Sequence, residues 1–147
     1  MTRNPDDQPR PSRLYLDTSA YLCILFGEDG SDRLSRETDT AELLSSVLLV
    51  LEVRRTLIRL AREGTLAPDR YKTCLDRLEQ DANRFVLRDL TLDLCQSMIV
   101  PAVITPRSLD LAHLRTALWF HTAEKIDRFL TKDTSQEQAA RELGLPV

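Results

Sequence analysis

Four acidic residues stand where the surrounding sequence does not call for charge. Asp17 directly follows the apolar run "RLYL", Glu52 interrupts "VLLVLEV", Asp110 interrupts "SLDLAHL", and Asp133 closes "IDRFLTKD". A carboxylate in a low-dielectric setting is costly unless something compensates it. If the four converge, a pair about 6 Å apart repels by roughly 3 kcal/mol at an effective dielectric of about 20. Several such pairs stay ionised together only beside a cation. Mg²⁺ suits the role, because it favours oxygen ligands, keeps several waters, and binds through one or two carboxylates plus substrate phosphates. A cluster of this kind is a site for phosphodiester cleavage, in which metal ions activate water and stabilise the attacking and leaving oxygens.

Each acid also has a plainer reading. Asp17 could be a turn residue that caps the next helix. Glu52 could be a partly exposed helix residue paired with Arg55 or Arg59. Asp110 near a helix start is favoured by the helix dipole whatever its role, and Asp133 could be a simple turn residue.

The elements that must position these acids are legible in outline. Leu14 to Leu16 read as a short strand around Tyr15. Thr18 or Ser19 is placed to cap a helix that stops near Gly27. "SDRLSRET" reads as a short helix, and "AELLSS" as a short strand whose serines can cap the next element. From Val47 to Gly64 runs the strongest helical pattern, with apolar positions 49, 50, 53, 57, 60 and 61 and Gly64 as a stop. Pro68 opens an amphipathic helix. A strand is expected around Phe85 to Leu87, a helix in "TLDLCQSMIV" capped by Thr91, a helix capped by Ser108 with Asp110 in its first turn, and a strand ending at Asp133. The helix "SQEQAARELG" closes the pattern. Strands alternating with helices predict an α/β fold with a small, mainly parallel sheet. In such sheets ligands bind outside the carboxyl ends of the strands, the edge that Asp17 and Asp133 share.

The bulk numbers agree with this. The chain has 147 residues, 42% of them hydrophobic and only 5% aromatic, which suits one domain of helices layered on a sheet rather than an aromatic-rich sandwich. With 29% charged residues it does not read as a disordered chain. The net charge of −3 does not by itself suggest nucleic acid, since phosphate affinity comes from clustered Lys and Arg. Cys23, Cys74 and Cys95 are widely spaced and odd in number, so a disulfide framework or zinc site is not expected; they read as small buried residues in a reducing cytoplasm. Residues 1–12 are polar with prolines and no apolar h-region, hence a flexible tail before one domain at 13–147 and not a signal peptide. No run reaches the ~20 apolar residues of a membrane span.

Taken in order, "YLDTSAYL", "LLVLEVRR", "RSLDLAHLRTAL" and "FLTKDTSQEQAARELGLPV" resemble the successive motifs of the PIN-domain family, in particular the VapC-type toxin ribonucleases. The resemblance covers nearly the whole chain after the tail. It implies a three-layer α/β/α sandwich and a Mg²⁺- or Mn²⁺-dependent ribonuclease site whose four acids match Asp17, Glu52, Asp110 and Asp133. Asp17, Asp110 and Asp133 would be direct or water-mediated metal ligands, and Glu52 a ligand or the group that helps deprotonate water. Thr18, Ser19 and Thr131 match polar groups that orient ligands or metal-bound water. Asp127 rivals Asp133 for the fourth place, and Asp133 is preferred because it follows the strand directly. The resemblance further implies an RNA substrate, a cognate antitoxin protein, a homodimer and a cytoplasmic location.

Other residues invite weaker readings. Arg54, Arg55, Arg59 and Arg62 form a basic stripe on the helix of Glu52, either guiding RNA backbone or forming a solvated face. His113, one turn after Asp110, could be a metal ligand by spacing. With no second histidine or cysteine nearby, a hydrogen-bonded structural histidine is the better reading. His121 sits near a helix end, and Trp119 and Phe120 read as core or dimer contacts. Two competing classes are a receiver-like Mg²⁺-binding phosphoacceptor domain, which expects a lysine at its own strand end, and a catalytically silent PIN-like binding module.

Overall fold

The run that raised the question about Asp17 is strand β1, Arg13–Leu16, and it lies inside a four-stranded parallel sheet in a computed structural model that describes residues 9–96 and 107–147. Its alternate side chains face opposite layers, and all are buried: Leu14 and Leu16 pack on one side, Tyr15 on the other. A parallel strand covered on both faces needs apolar residues at successive positions rather than in alternation. The tail residues 1–8 lie outside the described residues.

After β1 come helices α1, Thr18–Phe26, and α2, Ser31–Thr38, then strand β2, Glu42–Ser46. Helix α3, Leu48–Arg62, and helix α4, Pro68–Ala82, lead to strand β3, Phe85–Arg88. The short helix α5, Leu92–Gln96, helix α6, Ser108–Ala123, strand β4, Arg128–Leu130, and helix α7, Thr134–Glu142, complete the described chain. The rest of the helix expected in "TLDLCQSMIV" falls outside the described residues.

The strand order is β3-β2-β1-β4, parallel throughout, with Tyr15 in register with Leu44 of β2 and Phe129 of β4. The chain thus builds outward from β1 through β2 to β3, then returns to add β4 on the other flank. That reversal puts the topological switch point between β1 and β4, and the carboxyl ends of strands at such a point are where parallel sheets bind ligands. One layer joins Tyr15, Leu44 and Phe129 to Leu114, Ala117 and Phe120 of α6 and to Ala139 and Ala140 of α7. The opposite layer sets Leu14, Leu16 and Leu43 against Ala20 of α1, with Leu34 of α2 alongside. Tyr21 of α1 continues that layer into Leu49, Val53 and Leu57 of α3 and Leu78 of α4. The architecture is the expected α/β/α sandwich.

Local expectations largely hold, with four corrections. The strand expected to end at Asp133 stops at Leu130, and Asp133 instead caps the helix beyond it. The cap of α1 is Asp17 itself, whose Oδ1 accepts from the Ala20 N–H at 3.1 Å, not Thr18 or Ser19. Those two already lie inside the first turn. Ser108 does not cap α6 either: it is the first helical residue, and Arg107 holds the cap position without a side-chain bond. Cys95 is exposed, so only Cys23 and Cys74 behave as small buried residues; all three are free thiols. Gly27 closes α1 at a φ of 65°, a left-handed conformation that costs a residue with a Cβ.

Candidate active site

Asp17 is 5% exposed and sits where β1 turns into α1. Ser19 Oγ donates to its Oδ1 at 2.7 Å, and Thr131, just after β4, donates to its Oδ2. Each hydroxyl also accepts a backbone bond: the Lys132 N–H reaches Ser19 Oγ at 2.8 Å and the Asp133 N–H reaches Thr131 Oγ1 at 3.1 Å. Asp17 N–H donates to the Leu130 carbonyl at 3.1 Å. The ends of β1 and β4 are therefore sewn together around one carboxylate. Burial pushes the Asp17 carboxyl up, and the bonds from Thr131, Ser19 and Ala20 only partly reverse that.

Asp133 repeats the arrangement on β4, capping α7 through Oδ1, which accepts from Ser135 N–H at 2.8 Å and Gln136 N–H at 3.2 Å. Gln136 adds a link the sequence reading missed. It is 2% exposed, and its Nε2 donates to the Asp110 carbonyl at 2.9 Å, tying the start of α7 to the first turn of α6. No motif advertises a glutamine in an amphipathic helix; only the packing of α7 on α6 exposes its role.

Glu52 does not pair with Arg55 or Arg59. Its Oε1 accepts from Thr18 Oγ1 at 2.9 Å and lies 2.9 Å from His113 Nε2. Burial pushes the Glu52 carboxyl up, but the hydrogen bond and charge of His113, the Thr18 hydroxyl and the Arg55 guanidinium outweigh it and hold the group below its ordinary value. His113 is thus hydrogen-bonded, as expected of a structural histidine, but its partner is one of the four acids.

Asp110 is tied to the same end of the sheet through its backbone, whose carbonyl accepts from Gln136, three residues past Asp133. Desolvation raises its carboxyl, the negative charge of Asp133 raises it further, Arg107 opposes, and Asp17 and Glu52 add to the rise. The acids share one edge of the sheet without closing into a cage: among the described residues no three His, Cys, Asp or Glu side chains are set to hold one ion. Mg²⁺ keeps several waters and takes one or two carboxylates, a mode of binding that needs no closed cage of protein ligands. Asp127 is not part of this edge. Its Oδ2 accepts from the Arg13 N–H at 2.8 Å, at the opposite end of β1 from Asp17.

The curated proteins include similar chains. Ribonuclease VapC35 of Mycobacterium tuberculosis, strain CDC 1551 / Oshkosh, is 32% identical over 137 residues, covering 91% of this chain and 94% of the relative. The protein of the same name from strain ATCC 25618 / H37Rv matches to the same extent. The chain belongs to the VapC-type PIN-domain family. No general family model matches it. Membership in the VapC-type family agrees with the parallel sheet and with the order of the acids along the chain.

The arginine stripe on α3 divides. Arg54 pairs with Glu79 at 3.3 Å and Arg59 with Glu63 at 3.1 Å, whereas Arg55 forms no ion pair among the described residues and acts on Glu52. Arg107, which the sequence reading passed over, flanks Asp110 in the same way. Lys132 does not serve the acids as a receiver-like site would require; its Nζ reaches the Asp29 carbonyl at 3.3 Å. Phe120 is buried in the core, while Trp119 is 43% exposed with the Arg88 guanidinium 4.5 Å above its ring. Among the described residues no helix is long and apolar enough to cross a membrane.

Proposed function

We propose that this chain is a divalent-metal-dependent endoribonuclease, the toxic member of a toxin–antitoxin pair. The observation that carries the reading is the pair of bonds linking the acids' elements in a chain of the VapC-type family: Glu52 accepts from Thr18, beside Asp17, and the Asp110 carbonyl accepts from Gln136, in the helix that Asp133 caps. Asp17, Asp110 and Asp133 would hold Mg²⁺ or Mn²⁺, directly or through water, with Glu52 beside them. Bound there, such an ion would lower the pKa of water to a range where it attacks a phosphodiester and would neutralise charge on the phosphate.

The chain's own groups do the positioning. Ser19 and Thr131 hold Asp17 in one orientation. Asp133 commits Oδ1 to the α7 cap, and no described residue donates to its Oδ2. Arg55 and Arg107 flank the acids, and their guanidinium groups would draw the RNA backbone to an otherwise repulsive edge. The relative's name, a ribonuclease of VapC type, supports RNA as substrate. Family membership is the support for the remaining partners, a cognate antitoxin that blocks the site and a second copy in a homodimer, and for action in the cytoplasm.

The test is cleavage of RNA by the purified chain with Mg²⁺ or Mn²⁺. EDTA should abolish cleavage, and Asp110→Asn should lower it by about a hundredfold or more, the effect of losing several kcal/mol of charge stabilisation. Activity that survives EDTA sinks the metal-site reading. A chain that binds RNA but cleaves none, with every acid intact and metal present, is the silent binding module.

A further inference from the structure

His113 is a buried imidazole at the acid edge, and the proposed chemistry leaves it without a task. It lies one turn after Asp110 on α6, 2% exposed, and both ring nitrogens are engaged. Nδ1 is 2.8 Å from the Tyr15 hydroxyl, and Nε2 is 2.9 Å from Glu52 Oε1 and 3.2 Å from Thr18 Oγ1. An ionised carboxylate only accepts, so the proton between ring and Glu52 belongs to Nε2. Nδ1 meets the hydroxyl of Tyr15, a residue with no exposure whose ring stands edge-on to the imidazole.

Three elements meet in this chain of bonds: Tyr15 of β1, His113 of α6 and Glu52 of α3. Thr18 of α1 joins as a second donor. Both donors converge on Glu52 Oε1, and no described residue donates to Oε2. A glutamate side chain on a helix has many rotamers; here one oxygen is pinned and the other is left over.

We infer that His113 is a positioning residue for Glu52: with Tyr15 behind it and Thr18 beside it, it fixes Oε1 so that Oε2 is presented to the divalent ion at the acid edge. The inference rests on the proposed metal site. Partners that orient a ligand from behind typically change metal affinity by about 10- to 100-fold when removed.

The experiment is calorimetric titration of Mn²⁺ into the metal-free full chain and its variants, with circular dichroism to confirm folding. His113→Leu should weaken Mn²⁺ binding by about 10-fold or more. Two polar variants separate the bonds. His113→Gln reaches the place of Nε2 and should recover most of the affinity, whereas His113→Asn reaches only the place of Nδ1, keeps the Tyr15 side and should bind as weakly as His113→Leu. If the leucine variant does not fold, the Gln and Asn pair carries the test alone. In a Glu52→Gln background, none of the three substitutions should weaken binding further. Equal affinities for wild type and for the His113→Asn variant overturn the inference, as does a full loss that persists in the Glu52→Gln background. A wild-type chain that takes up no Mn²⁺ overturns the metal site itself, and the two failures are thereby distinguished.

Discussion

Asp17 and Asp133 each follow a parallel strand and each cap the next helix, yet Asp17 is 5% exposed and Asp133 stands in the open. The difference follows from sheet position. β1 is flanked by β2 and β4, so the turn after it is walled by neighbouring strand ends, while β4 has β1 on one side only. Asp17 accepts two side-chain hydroxyls and a backbone N–H; Asp133 accepts backbone N–H groups alone. One acid is held by tertiary contacts at the cost of desolvation, the other by its own helix at almost none. Similar local signals thus give a buried carboxylate held by hydroxyls and a solvated one held by its own helix.

The largest expected consequence is in activity. Asp17→Asn should reduce metal-dependent RNA cleavage by about a hundredfold or more, since the charge it removes is the one most completely walled in. Asp133→Asn should cost roughly tenfold, because a solvated carboxylate is more readily replaced by water. Equal losses in the two variants would show that burial does not rank the acids.

Next comes metal-free stability, where the same pair should respond in opposite directions. The bonds to Asp17 only partly offset the desolvation of its charge in the folded state, so Asp17→Asn should raise the melting temperature in EDTA at neutral pH, and added Mn²⁺ should raise it for the wild type but not for the variant. Asp133→Ala removes a cap and should lower stability by about 1 kcal/mol. The sign with pH follows from the raised Asp17 carboxyl. Its favourable contribution is complete below the ordinary value of 3.8 and is lost as pH rises through the raised folded value. The gap between wild type and Asp17→Asn should therefore close on acidification, and a gap that widens would contradict the assignment.

The smallest effects belong to the hydroxyls. Thr131→Val and Ser19→Ala each remove one charge-assisted bond to Asp17, a bond type worth about 1.5–3 kcal/mol. Part of that returns because Asp17, with fewer donors, takes up a proton more easily, so thermal melts in EDTA should register losses of about 1 kcal/mol. Either variant melting above wild type would mean that the hydroxyls do not hold the carboxylate.

Much of this was legible before any coordinates. The strand positions, the helix expected from Val47 to Gly64 and found over 48–62, Pro68 at a helix start, and Asp17 at the end of β1 all rest on interactions within a few residues. The errors were of the same local kind. Thr18 and Ser19 were natural caps by type, but Asp17 stood one place earlier with a better acceptor. The basic stripe on α3 looked uniform, and only the neighbouring Glu79 and Glu63 separate Arg54 and Arg59 from Arg55.

The sequence by itself determined which residues are charged amid apolar neighbours and which of them end strands, because hydrophobic runs, caps and turn residues act over one helical turn or less. Tertiary structure alone decided what holds each acid. The bond from His113 to Glu52 spans 61 residues and that from Gln136 to Asp110 spans 26. Such contacts depend on where α3, α6 and α7 come to rest on the sheet, and that placement is fixed by packing in the two apolar layers, not by any pattern along the chain.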